Sequence, residues 1–368
     1  MFWRDMRLKP EKIANYVGKE DLSLVDAMEK IDRNAKGILF IVDSNEKLVG
    51  SLTDGDIRRW IIKSGDVSVP VKKAMNSLPI FLLFSEKRNA YDLMKKKMIT
   101  SIPIVDEQKR LVDICFWASR ESDNMERESL VGVPAIIMAG GMGTRLYPYT
   151  KILPKPLVPI GDTPIVERII DYYTGFGIKN FYMTVNYKKA MIRSYFDDVV
   201  KDYDIYYVEE DKPLGTGGSI RLIKDKFDKP VFVTNCDALI LADYYDIYQY
   251  HMNSGNDITM VSALKNIQVP YGVMHTGENG VLLSMEEKPK ISYFINTGMY
   301  IINPETIDMI PEDTMFHMTQ LVEKVMESGG KVGTYPVSED SFLDMGELSE
   351  MRRMEEKLGI SVDKGRDE

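Results

Sequence analysis

Apolar residues fall in short runs separated by mixed stretches, and these runs set the expected architecture. Val133-Pro134-Ala135-Ile136-Ile137-Met138-Ala139-Gly140-Gly141 is apolar without alternation and stops on glycines. That pattern predicts a strand buried on both faces at the start of a sheet. Further strand-like runs follow at 181–185, 205–208, 231–234, 258–264, 281–285 and 299–302, while 165–176 and 190–200 carry helical spacing. Strands alternating with helices predict an α/β domain over 134–368 with a Rossmann-like, mainly parallel sheet. Ligands of such sheets gather at the carboxyl ends of the strands.

The chain before residue 122 repeats itself. Phe40-Ile41-Val42-Asp43 and Lys47-Leu48-Val49-Gly50 return as Pro103-Ile104-Val105-Asp106 and Arg110-Leu111-Val112-Asp113, offset by 63 positions. The same offset carries Ala27 onto Ala90 and Ile31 onto Met94. Units this short bury little alone, so the two copies are expected to pack around a pseudo-twofold axis. The repeat resembles a pair of CBS modules over 1–122, followed by a charged linker at 123–133. In that family a Ser/Thr and an Asp three residues later hold the ribose of an adenosyl ligand. Thr53 and Asp56 fit in the first copy, whereas Trp117 and Arg120 stand there in the second, so the resemblance implies at most one adenine-nucleotide site. The alternative is a module that only assembles the chain into a homo-oligomer.

Composition narrows the class without naming it. Lys plus Arg is 47 against 56 for Asp plus Glu, a net charge of −9, which argues against a nucleic-acid partner. Two cysteines and three histidines leave little for a disulfide framework or a zinc site. No apolar run reaches the ~20 residues of a membrane helix, and the N-terminus has no signal-peptide pattern. A cytoplasmic chain is expected.

The chemistry concentrates in Ala139-Gly140-Gly141-Met142-Gly143-Thr144-Arg145-Leu146-Tyr147-Pro148-Tyr149-Thr150-Lys151-Ile152-Leu153-Pro154-Lys155-Pro156. Glycine amides after a buried strand can approach phosphate oxygens closely. The dinucleotide fingerprint fails at Leu146, and no Walker lysine follows. Arg145 and Lys155, the latter fixed between two prolines, supply the cations a triphosphate with a leaving pyrophosphate needs. A second glycine-rich stretch is Pro213-Leu214-Gly215-Thr216-Gly217-Gly218-Ser219. The strand run Val231-Phe232-Val233-Thr234-Asn235-Cys236-Asp237 ends on a carboxylate, which suggests Mg²⁺.

These strings resemble the sugar-phosphate nucleotidyltransferases over about 134–350. The resemblance implies a GT-A-like fold and nucleotide contacts from Ala139, Gly140, Gly141, Gly143 and Thr144, with Gly215, Thr216 and Gly217 closing over the base. It implies Arg145 and Lys155 as catalytic groups and Asp237 with Asp344, in Phe342-Leu343-Asp344-Met345-Gly346, as the Mg²⁺ ligands. Gly272, Glu287, Lys288 and Asn296 would face the sugar phosphate. The CBS pair together with Thr234-Asn235-Cys236-Asp237 is similar to the glucosamine-1-phosphate guanylyltransferases of legionaminic acid biosynthesis, which implies GTP and glucosamine 1-phosphate as substrates. The alternatives are mannose-1-phosphate guanylyltransferase, and a non-enzymatic nucleotide sensor carrying an inactive transferase-like domain.

Overall fold

The structure is a computed structural model describing residues 13–34, 36–97, 99–116, 129–346 and 348–360. Trp117 and Arg120 lie outside the described residues. The chain divides into two compact units, Met1–Met125 with Ile267–Ser292, and Glu126–Asn266 with Tyr293–Glu368. Ile267–Ser292 thus groups with the N-terminal part, where the sequence suggested one uninterrupted domain over 134–368. Among the described residues no helix is long and apolar enough to cross a membrane.

The N-terminal unit shows the repeat as two three-stranded sheets. β1 (Val17–Lys19), β2 (Ile38–Val42) and β3 (Leu48–Thr53) form the first, with helices α1 (Leu24–Asn34) and α2 (Asp54–Ser64). β4 (Leu82–Leu83), β5 (Ser101–Val105) and β6 (Leu111–Phe116) form the second, with α3 (Ala90–Lys97). In both, the first pair is parallel and the second antiparallel. The turns match atom for atom. Asp43 Oδ1 accepts from the amides of Asn45 and Lys47, and Asp106 Oδ1 from those of Gln108 and Arg110. Phe40, Leu48, Val105 and Ile114 make one shared core, as the pseudo-twofold packing requires.

The second unit is a seven-stranded sheet. Its strands are β7 (Pro134–Met138), β8 (Asn180–Val185), β9 (Asp204–Glu209), β10 (Val231–Asn235), β12 (Ile258–Gln268), β15 (Lys290–Ile302) and β16 (Val332–Val337), in the order β9-β8-β7-β10-β15-β12-β16. A separate ribbon pairs β11 (Ala238–Ile240) with β17 (Phe342–Asp344), while in the first unit a hairpin pairs β13 (Val273–Thr276) with β14 (Leu282–Glu286). β9, β8, β7 and β10 are parallel, and β15 runs against β10. The unbroken apolar run of β7 is explained by burial on both faces: every residue of Pro134–Met138 is covered. On one face lies α5 (Ile165–Thr174), after the short helix α4 (Tyr149–Ile152); α5 buries Ile165, Val166, Ile169, Ile170 and Tyr173 at helical spacing. Tyr173 meets Phe181, Phe232 and Tyr244 at ring-centroid distances of 6.1, 5.5 and 4.6 Å, so truncating it to alanine would cost about 3–5 kcal/mol.

Candidate active site

The first glycine-rich segment leaves β7 at its carboxyl end, where a parallel sheet presents ligand sites. Ala139 is buried and its amide donates to Thr184 O at 3.0 Å, extending the ladder to β8. Gly140 then passes against Glu210, so close that a Cβ would lie 2.5 Å from Glu210 Oε1. Gly141 opens to solvent. Gly143 has φ +66°, and a Cβ there would fall 2.8 Å from Lys155 Cβ. Glycine at 143 is therefore demanded by both backbone conformation and space. Thr144 and Arg145 are exposed, while buried Leu146 pins the turn between them and the core.

Lys155 returns to this segment and pairs with Asp237, at the end of β10; both side chains are largely buried. Asp344 arrives by strand pairing: β11 follows Asp237 directly and lies antiparallel to β17, with Ala238 opposite Asp344. The Met345 amide donates to Asp237 O at 2.8 Å and locks that register. Gly346 explains the Asp-x-Gly spacing, since a Cβ there would press within 2.9 Å of Asp344 Oδ2. Burial, then the neighbouring Asp237, hold the Asp344 carboxyl above its ordinary range, while Lys155 and Arg145 pull it back. Arg145, Lys155, Asp237 and Asp344 thus share one electrostatic neighbourhood. Among the described residues no group of three or more His, Cys, Asp or Glu is placed so that it could hold a metal ion. Two hard carboxylates suit Mg²⁺, which takes one or two protein carboxylates and fills its shell with water and substrate phosphates.

Gly215, Gly217 and Gly218 form a short helical turn whose tightness answers a neighbouring chain. Cβ atoms would meet Phe316 O at 2.7 Å from Gly215 and Thr314 O at 2.7 Å from Gly218. The amides of Gly217 and Gly218 both donate to Phe316 O, and Thr216 Oγ1 accepts from the Met318 amide at 3.1 Å. Ser219 closes the turn as its C-cap and is buried.

Glu210 was not singled out by its sequence, yet it joins the two glycine segments. It is buried, takes the Leu214 amide on Oε2 at 3.0 Å and presents Oε1 toward Gly140. Burial raises its carboxyl above the ordinary range, and the Leu214 amide offsets part of that. The available signal was a Glu at a strand end five residues before Gly215.

The residues expected to face the sugar phosphate fall in two places. Asn296 and Gly298 belong to the seven-stranded sheet; Asn296 Oδ1 accepts from the Gly298 amide at 3.0 Å and its Nδ2 donates to Tyr300 Oη at 2.6 Å. Gly272, Glu287 and Lys288 belong to Ile267–Ser292, in the other unit. There Gly272 adjoins Glu287, 3.1 Å from a Cβ position to Oε2, and exposed Lys288 takes φ +49°.

In the first repeat Thr53 and Asp56 engage each other. Thr53 caps α2, Asp56 Oδ2 accepts from the Thr53 amide and hydroxyl at 2.9 and 2.6 Å, and Arg59 pairs with Oδ1. A cavity of about 750 Å³ in this unit is lined by Val17, Lys19, Ser23, Lys30, Val42 and Glu46 among others, but by neither Thr53 nor Asp56.

UTP–glucose-1-phosphate uridylyltransferase of Synechocystis sp. is 32% identical over 235 residues, 58% of this chain and 60% of that protein. Mannose-1-phosphate guanyltransferase of Debaryomyces hansenii is 34% identical over 184 residues, 48% of this chain and 51% of that protein. The chain therefore spans between half and two thirds of the length of these curated relatives. Among solved structures, HddC from Yersinia pseudotuberculosis matches at 25% identity and a TM-score of 0.49, covering 61% of this chain and 99% of that one. Residues 19–63 match the CBS domain. Residues 134–359, more than half of the chain, match the nucleotidyl transferase family, and to that family the protein belongs.

Proposed function

We propose that the chain transfers a nucleotidyl group from a nucleoside triphosphate to a sugar 1-phosphate, releasing pyrophosphate. The observation that carries this reading is the convergence of Lys155, Asp237 and Asp344, within reach of the Arg145 charge, at the mouth of the first glycine segment. An oxygen of the sugar phosphate attacks the α-phosphorus in line and the bond to the pyrophosphate oxygen breaks. Nucleophile and target are both anionic, so positioning and charge neutralisation dominate. Lys155 is assigned to the α-phosphate region and Arg145 to the departing phosphates; Lys288, on the other unit, is proposed as a contact of the sugar phosphate. Asp237 and Asp344 would hold Mg²⁺, whose charge offsets that of the phosphates when it is bound. Gly141 and Thr144 are exposed, and their amides are proposed to meet phosphate oxygens.

GTP is the triphosphate this reading favours. A carboxylate offers only acceptors, which suits the adjacent N1–H and N2–H donors of guanine better than the acceptor-bearing edge of uracil. Glu210, between the two glycine segments, is that carboxylate. The sugar is proposed as glucosamine 1-phosphate, on the joint presence of the CBS match and Thr234-Asn235-Cys236-Asp237. Mannose 1-phosphate is the second reading, supported by the guanyltransferase relatives named for it. Pyrophosphate release across four NTPs and a panel of sugar 1-phosphates tests all of this at once. Turnover only with UTP would remove the guanine reading, and no turnover with any pair would favour the non-enzymatic sensor. Thr53 and Asp56 are proposed to receive the ribose of an adenine nucleotide after trading their mutual bonds for its hydroxyls. Calorimetric titration of AMP into wild type and Asp56→Ala tests this, and equal binding by both would refute it.

A further inference from the structure

The segment carrying Arg145 and Lys155 contains α4, a helix of four residues, far below the length at which a helix holds itself together in water. Its carbonyls have identifiable partners. Tyr149 O takes the Leu153 amide at 3.0 Å, within the segment itself. The next three are met from outside, by two consecutive residues after β8. Tyr187 Oη donates to Thr150 O at 3.3 Å, and Lys188 Nζ donates to Lys151 O at 2.6 Å and to Ile152 O at 2.7 Å. A cation at the carboxyl end of a helix also meets the negative end of its dipole. From α4 itself, Thr150 Oγ1 donates to Gly143 O at 2.9 Å, and Gly143 packs on the stem of Lys155.

Lys188 holds this position at some conformational expense. Its backbone is left-handed, φ 51° and ψ 34°, at the start of α6 (Lys189–Asp198). For a residue with a Cβ that region is uncommon and carries a cost, which the contacts made here offset. Asn186, two residues earlier, donates to Glu210 O at 2.8 Å, so the same short stretch touches the strand end that carries the buried carboxylate. We infer that Lys188 is a positioning residue: its ammonium latches α4, and through Thr150 and Gly143 sets where the first glycine segment and Lys155 meet the nucleotide phosphates. The inference rests on the nucleotidyl-transfer reading for its kinetic consequence, but the latch itself is observable without turnover.

The test uses the full chain with Lys188→Met, which keeps the stem and removes the ammonium, and Lys188→Arg, which keeps the charge. Hydrogen–deuterium exchange of peptides spanning 143–153 should quicken about tenfold in Lys188→Met, with β7 and β8 unchanged. Calorimetric Kd for GTP and KM for GTP should both rise about tenfold, and KM for the sugar phosphate should move less than twofold. Lys188→Arg should recover most of both effects. Unchanged exchange at 143–153, unchanged GTP affinity, or equal failure of the arginine variant would each overturn the latch. So would acceleration spread over β7 and β8, which marks general destabilisation. If wild type binds GTP yet transfers nothing, the transfer reading fails, while exchange and affinity still decide the latch.

Discussion

The segment proposed to hold the nucleotide and the hairpin proposed to meet the sugar are built on opposite terms. The first glycine segment leaves a strand whose residues are all covered, and its turns are held by Leu146, Thr150 and Lys188. The β13–β14 hairpin that leads into Glu287 and Lys288 has the reverse character. Every residue of β14 is exposed, and Met274, Leu283 and Met285 keep 65%, 69% and 66% of their surface. A two-stranded ribbon with so little buried surface is marginal by itself. Under the proposed reading, the triphosphate common to every reaction of this class falls to a well-packed platform. The sugar would then be chosen by a thin element, where exchanges of side chain disturb little else.

The largest effect should come from breaking the platform. Asp344→Asn is expected to cut kcat by about 10²–10³-fold, the scale on which one preorganised electrostatic contact is felt. The fold should survive, because among the described residues Asp344 is in no salt bridge that the change would leave unpaired; circular dichroism beside steady-state rates checks both. Asp237→Asn should lose as much activity and stability besides, since it strands the Lys155 ammonium in a largely buried site. Near-normal kcat in either variant at limiting Mg²⁺ would remove that residue from the metal site.

Next in size is base selection. Glu210→Gln preserves shape but replaces an acceptor with a donor, so kcat/KM for GTP should fall about 10–100-fold, matching the ~1.5–3 kcal/mol of a hydrogen bond to a charged group. The rate with UTP should fall less. Equal losses for both nucleotides would make Glu210 a structural brace between the glycine segments. On the hairpin, Glu287→Ala should raise KM for the sugar phosphate about tenfold, leave KM for GTP alone and barely shift Tm, as its exposure requires. A matching rise for GTP would erase the division between the two sides.

The smallest effect is one of pH, and it too should separate the halves. His251 is buried in the second unit between Thr259 Oγ1 at 2.9 Å and Asn303 Oδ1 at 3.0 Å, and burial lowers its pKa despite the Asn303 bond. The unfolded chain therefore takes up this proton more readily than the folded one. Its contribution is fully present above the unfolded value of about 6.5 and is lost as pH falls toward the lower folded value. Urea midpoints should drop between pH 7.5 and 5.5, and His251→Gln should flatten that slope. An unchanged slope would assign the acid sensitivity elsewhere.

What could be read from the chain alone follows the same division. The strands of the parallel sheet announce themselves because burial on both faces demands uninterrupted apolar runs, and Arg145, Lys155 and Asp237 stand out because few other residue types could serve there. Asp344 was visible only through its order after the other motifs; its closeness to Asp237 comes from the pairing of two three-residue strands more than 100 positions apart. Lys188 was invisible for a plainer reason. Its partners are backbone carbonyls 36 and 37 residues away, and a carbonyl looks the same under any side chain. Glu210 was hidden likewise, its neighbours being a glycine and an amide.

The duplicated turns of the N-terminal unit bear on how such a chain can be inherited and cut. Each turn finishes the other's sheet: the Leu48 amide donates to Lys109 O at 2.8 Å and the Leu111 amide to Glu46 O at 3.4 Å. Each copy therefore supplies the edge that its twin lacks, and a single copy severed from the other would present Phe40 and Leu48 to water beside an open strand. The half-module is thus a self-complementary fragment. Expressed alone, it should recruit a second identical fragment in place of its lost twin, and a circular permutation that keeps both copies should be tolerated where deletion of one is not.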